Sequence, residues 1–115
     1  MMQTNIFQKI IDKQIPADIV FEDEQCLAFR DINPQAPTHV IIIPRNKIIV
    51  THADITEADG DLLGHMHLIA ARLAKQLGLE DGYRLVINCK ELAGQTVPHL
   101  HMHLLGGRNM GWPPG

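Results

Sequence analysis

The 115-residue sequence has little cysteine, no basic excess and no long hydrophobic run. Two cysteines, Cys26 and Cys89, are too few for a disulfide framework, so both are expected as reduced thiols. Ten Lys and Arg against thirteen Asp and Glu leave a net charge of −3, without the basic excess that a non-specific grip on nucleic acid needs. A bound phosphate must then be held by local donors, because the overall field does not attract it. No stretch approaches the roughly 18 apolar residues of a membrane span. The opening MMQTNIFQKIIDKQIP carries polar residues throughout and lacks the continuous apolar centre of a secretion signal. Internal repeats, low-complexity segments and linkers are missing too. The expectation is one domain over residues 1–115, cytoplasmic, with neither nucleic acid nor membrane as partner.

What is present reads as short alternating elements. Ile6, Phe7, Ile10 and Ile11 recur at helical spacing after a capping Asn5, with Gln8 three residues on, and Pro16 ends that helix by residue 15 or earlier. Strands are predicted over 19–24, 26–31 and 38–45, the last a β-branched run suited to the centre of a sheet. NPQAP between them is a turn-rich loop. From Asp61 to Gly78, apolar residues recur at three and four, which predicts a long helix with Gly78 as its C-terminal stop. Further strands are predicted over 83–88 and 99–105, with a loop over 89–98 between them. The expected fold is α+β: a five-stranded antiparallel sheet with one short and one long helix, the long one against one face.

The segment HLHMHLLGG carries the chemistry. Alternation on a strand puts His99, His101 and His103 on one face and Leu100, Met102 and Leu104 on the other. Three readings compete: solvated surface histidines, a metal site, or phosphorus chemistry. Against a metal held by all three, His99 and His103 lie about 13 Å apart along a strand. A two-histidine site would need an outside ligand, for which His39 is the candidate. Phosphorus chemistry needs a neutral imidazole as nucleophile and neighbouring rings to hold phosphate oxygens, with no metal required.

HLHMHLL also fits the signature His-φ-His-φ-His-φ-φ, φ being apolar, and IFQKIIDKQIPADIVFEDEQCLAFRDINPQAPTHVIIIPR, GYRLVIN, GQTVPHLHMHLLGGR and GWPPG extend the match. In these stretches nearly the whole chain resembles the histidine-triad superfamily, in its Hint branch of nucleotide-binding proteins. The resemblance implies hydrolysis of purine nucleoside phosphoramidates and acyl-adenylates through a nucleotidyl-histidine intermediate, with no cofactor. It implies His101 as nucleophile, His103 on phosphate oxygens, and His99 and His39 as orienting rings. Gly94, Gln95, Thr96 and Val97 correspond to a phosphate loop of backbone N–H groups and a hydroxyl, and Asn88 to a phosphate-site asparagine. Many relatives carry Ser where Thr96 stands, which retains the hydroxyl. By the same resemblance Asp31 accepts hydrogen bonds from the ribose hydroxyls, and Ile6, Phe7, Ile10, Phe29, Ile32 and Ile41 form the purine pocket.

The resemblance further implies a homodimer with a continuous ten-stranded sheet, in which Trp112 packs near the partner subunit's active site. His52, His65 and His67 match nothing catalytic and are expected at the surface or an interface. A low-turnover nucleotide-binding module and a dinucleoside polyphosphate hydrolase are the alternatives. GWPPG and GGR favour the Hint branch over the latter.

Overall fold

The β-branched run of THVIIIPR becomes the middle strand of the sheet, as its composition demands. The computed structural model describes residues 5–115, so residues 1–4 of the expected domain lie outside the described residues. Its main elements are α1 (Ile6–Ile11), β1 (Ile19–Glu22), β2 (Cys26–Arg30), β3 (Thr38–Pro44), α2 (Gly60–Gln76), β4 (Tyr83–Val86) and β5 (Met102–Gly106). Single 3₁₀ turns at His52–Asp54, Glu57–Asp59 and Glu91–Ala93, which sequence periodicity does not reveal, shape the connections. All five strands join one sheet in the order β1-β2-β3-β5-β4, and every neighbouring pair is antiparallel. The α+β architecture expected from the sequence is therefore the one observed.

Helix α2 presents Leu62, Met66, Ile69, Ala70, Leu73 and Ala74 to the sheet. Its end is a Schellman motif: Leu79 N–H donates to the Ala74 carbonyl (2.8 Å) and Gly78 N–H to that of Lys75 (3.3 Å), with Gly78 at φ +75°. Helix α1 is shorter than its pattern allows. Asn5 Oδ1 accepts the Gln8 N–H at 3.0 Å, but the Gln8 side chain donates to Asp12, so only half of a capping box forms. Lys13 takes a positive φ of 60°, which stops the helix before Pro16 is reached.

The last strand corrects its expected bounds of 99–105, because β5 begins at Met102. Pro98 brings no N–H, His99 N–H turns back to the Val97 carbonyl (2.8 Å), and Leu100 N–H donates to Ile49 (2.7 Å) in the connection after β3. The alternation nevertheless continues through this irregular lead-in. Leu100, Met102 and Leu104 join Cys26, Ala28, Val40 and Ile42 in the core beneath α2. On the other face Leu27, Phe29, Ile41 and Ile43 pack with Phe7, Ile10 and Ile11 of α1. That second face is where the imidazoles stand.

Candidate active site

Burial sets the protonation of the four rings. His39, His99 and His101 are 5%, 1% and 6% exposed, and desolvation holds each below the ordinary histidine pKa. His103 is pushed down to about 4 by burial, with the charges of His101 and His39 adding to the effect. Near pH 7 all four are thus neutral, and each ring has one donor and one acceptor nitrogen.

The hydrogen bonds then fix every tautomer. His101 Nδ1 lies 2.7 Å from the His99 carbonyl, which only accepts, so the proton is on Nδ1 and Nε2 keeps its lone pair. Asn5, whose Oδ1 is occupied by the α1 cap, donates through Nδ2 to His99 Nδ1 at 3.0 Å. His99 therefore donates from Nε2 to the Pro44 carbonyl at 2.9 Å. On the third branch, Gln35 N–H donates to His39 Nδ1 at 3.1 Å, which leaves the proton on His39 Nε2. That proton is shared with His103 Nδ1 at 2.8 Å, so His103 carries its own proton on Nε2. The site thus offers a nucleophilic lone pair on His101 and a neutral donor on His103, with ring centroids 5.0 Å apart.

A cleft of about 260 Å³ opens in front of these rings. His101, His103, Thr96, Val97 and Asp31 line it on the polar side. Ile6, Phe7, Ile10, Phe29, Ile32 and Ile41, the expected purine pocket, line the apolar side, and Ile15, Pro16, Ala17 and Arg30 complete it. Phe7 packs edge-on against His101 with centroids 5.0 Å apart, so α1 braces the nucleophilic ring. Asp31 Oδ1 accepts the Asn33 N–H at 2.8 Å, while Oδ2 lies 3.5 Å from His39 Nε2. Its negative charge favours a positive charge on the His101 ring.

The expected phosphate loop is only partly arranged as expected. The Gly94 and Gln95 N–H groups donate inward to the Glu91 and Lys90 carbonyls, closing the turn before the loop. The N–H groups of Thr96 and Val97 face no acceptor among the described residues, so these two, with the Thr96 hydroxyl, can receive an anion. Gln95 acts through its buried side chain instead: Nε2 donates to the Val50 and Val97 carbonyls and Oε1 accepts the Lys90 N–H. Asn88 lies two residues beyond β4 and is not among the residues that line the cleft. Trp112 is 85% exposed and does not line its own chain's cleft. Its tail is held where Arg84 donates to the Gly111 carbonyl at 2.7 Å.

Sequence reasoning missed Asn5 as a partner of His99 and Gln35 as the donor that orients His39. Asn5 carried a visible signal as a helix cap, whereas Gln35 acts through its backbone and carried none. Asp31, His39 and His103 also bring three ligand-type atoms within 4.8 Å of one another. A larger hollow of about 670 Å³, lined by Asp81, Arg84 and Arg108 among others, includes none of these imidazoles.

A HIT domain model matches residues 12–110. The chain belongs to the HIT family. Among its HIT relatives, a 14 kDa zinc-binding protein of Zea mays is 57% identical over 111 residues, covering 96% of this chain and 87% of that protein. An uncharacterized HIT-like protein of Synechococcus elongatus is 53% identical, with both chains fully covered. A crystal structure of a HIT family hydrolase from Legionella pneumophila superposes with a TM-score of 0.93 at 54% identity, covering 96% of this chain and 99% of that one. The histidine triad nucleotide-binding protein of Candida albicans gives 0.80 at 32% identity, covering 95% and 82%.

Proposed function

We propose that this HIT protein is a hydrolase of the Hint branch, a purine nucleoside phosphoramidase that also accepts acyl-adenylates. One observation carries the reading: the bond from His101 Nδ1 to the His99 carbonyl leaves an Nε2 lone pair on a ring that lines the cleft. The Legionella and Candida relatives, described as a hydrolase and a nucleotide-binding protein, point the same way. His101 Nε2 attacks the α-phosphorus, the bond to the leaving amine breaks, and the nucleotide is joined to the imidazole. The Thr96 hydroxyl lies beside the site to hand the amine its proton, and His103 Nε2–H holds a phosphate oxygen. Water then displaces the imidazole and returns the lone pair to Nε2; one of its protons restores the Thr96 hydroxyl, and the nucleoside monophosphate leaves with release of the other. Asp31 takes the ribose and the six apolar residues of α1, β2, β3 and Ile32 take the base.

The same reading includes a homodimer whose ten-stranded sheet forms through β4, one of the two edge strands, with Trp112 near the partner subunit's cleft. Tyr83 on that strand and Leu68 on α2 are exposed apolar residues available to cover each other. Two free thiols suit a reducing cytoplasm. A phosphoramidate chiral at phosphorus tests the chemistry. Two in-line displacements give net retention of configuration, whereas direct attack by water gives inversion and ends the proposal.

A further inference from the structure

A second group of ligand-type side chains meets away from the cleft, on the α2 face of the sheet. Asp23 in the β1–β2 turn, Cys26 at the start of β2 and His65 on α2 place a carboxylate oxygen, a thiol sulfur and an imidazole nitrogen within 4.8 Å of one another. We propose that Asp23, Cys26 and His65 form a zinc-type divalent cation site, with water as the fourth ligand, separate from the histidine triad.

The donor chemistry selects the metal. One sulfur, one imidazole nitrogen and one carboxylate oxygen suit a borderline-soft tetrahedral ion, and they suit the all-oxygen cations poorly. A thiolate and a carboxylate also balance the charge of a dication. The geometry is close to what such an ion requires. A tetrahedron with zinc-like bond lengths sets oxygen and nitrogen ligands about 3.3 Å apart. The 2.6 Å contact between Asp23 Oδ2 and His65 Nε2 must therefore open by about 0.7 Å. The widest ligand pair, at most 4.8 Å apart, closes by little more than about 1 Å.

The carboxylate is already oriented for this task. Asp23 Oδ1 accepts the N–H groups of Gln25 (2.9 Å) and Cys26 (2.8 Å), which leaves Oδ2 turned to His65. Cys26 is fully buried, while the Asp23 and His65 side chains are 31% and 24% exposed. The sulfur thus makes the floor of the site, the other two make its rim, and solvent reaches the fourth position. On binding, the Cys26 S–H bond breaks and its proton leaves to solvent as the metal–sulfur bond forms. The His65 proton moves from Nε2 to Nδ1, so one proton is released per ion. His65, expected at the surface or an interface, stands partly exposed and pairs with Asp23 across the fold.

The bound ion ties the β1–β2 turn and β2 to α2, behind the face that carries His101. Cobalt(II) titrated into the full-length Cys89→Ser protein tests this, because Cys26 is then the sole thiol. The expected result is a saturable thiolate-to-cobalt charge-transfer band at one equivalent, bleached by zinc(II). His65→Ala, at the rim, should weaken cobalt binding by about tenfold or more. Zinc should raise Tm in the Cys89→Ser protein and fail to raise it when His65→Ala is added. Absence of the band in folded Cys89→Ser protein overturns the proposal. So does a band of equal affinity, or an equal zinc-induced rise in Tm, in the His65→Ala protein. Hydrolysis is read separately, since His65 lies outside the cleft and a failed phosphoramidase assay would leave the cobalt result intact.

Discussion

The two faces of the sheet are built from the same strands and put to opposite uses. Beneath α2, Val40, Ile42, Met102 and Leu104 are completely or almost completely buried against a 17-residue helix. Against the other face lies α1, only six residues long, which leaves part of the sheet uncovered. The cleft opens in that uncovered part, and buried imidazoles stand where the first face has methyl groups. Strand alternation separates the two sets so completely that adjacent residues of β5 belong to different tasks: Met102 to the core, His103 to the site. A strand in the middle of a sheet can thus carry reactive groups without weakening the core behind it.

The sharpest way to break this division is to remove one residue from each face. His101→Ala should lower turnover about 10⁴-fold or more, because a lost nucleophile disables the whole sequence of steps. Nucleotide binding should survive, since Asp31 and the apolar lining lie on other elements, and calorimetry with AMP checks this. Robust turnover in His101→Ala would erase the functional half of the comparison. One position beyond His103, Leu104→Ala should do the reverse. A fully buried leucine truncated beneath α2 costs about 2–5 kcal/mol of stability. Urea unfolding should show that loss, while the molecules still folded hydrolyse substrate at the parental rate.

A titration sharpens the contrast further, because only the site face carries these depressed histidines. An unfolded histidine titrates near 6.5, whereas His103 in the fold titrates at about 4. Between those values the unfolded chain binds more protons, so stability is full above about pH 6.5 and falls as the pH drops toward 4. The Tm should decline across that window, and kcat/KM should hold its plateau to below the ordinary histidine range. An acid limb centred at or above pH 6.5 would mean that the rings are hydrated rather than buried. The smallest effect belongs to Asn5→Ala, which touches both roles. Loss of the α1 cap should cost about 1 kcal/mol. Loss of the amide to His99 should lower kcat several-fold with little change in KM, and Asn5→Asp should restore the cap without restoring kcat.

The sequence displayed much of this arrangement because much of it is local. Period two in HLHMHLL, and the three-four spacing from Leu62 to Leu77, record which side of each element is buried, and the unbroken β-branched run VIII marks a strand covered on both faces. Six of the cleft's apolar residues were legible through the family resemblance; by spacing alone they read as ordinary core. What stayed hidden depends on contacts between distant residues. His39 and His103 are 64 positions apart, His65 and Asp23 are 42 apart, and neither pair has a spacing that announces it. The start of β5 was misplaced because Leu100 N–H finds its acceptor in Ile49, outside the sheet. Gln95 looked like a phosphate ligand through its N–H, yet its side chain is a buried strut whose partners are carbonyls elsewhere in the chain.

The bond between His39 and His103 gives the site a polarity. Starting from the Gln35 amide, every hydrogen in the row points the same way, toward the cleft, and reversing one would require reversing all. Because the first member is a peptide N–H, which cannot turn into an acceptor, the row behaves as a one-way valve for hydrogen-bond direction. His101, anchored on a carbonyl, is set the other way round. A visiting group must therefore be electron-poor where it meets one ring and electron-rich where it meets the next. A phosphoryl centre has that pairing of an electrophilic atom with its own acceptor oxygens. An ammonium or guanidinium offers only hydrogens, and would meet His103 donor to donor.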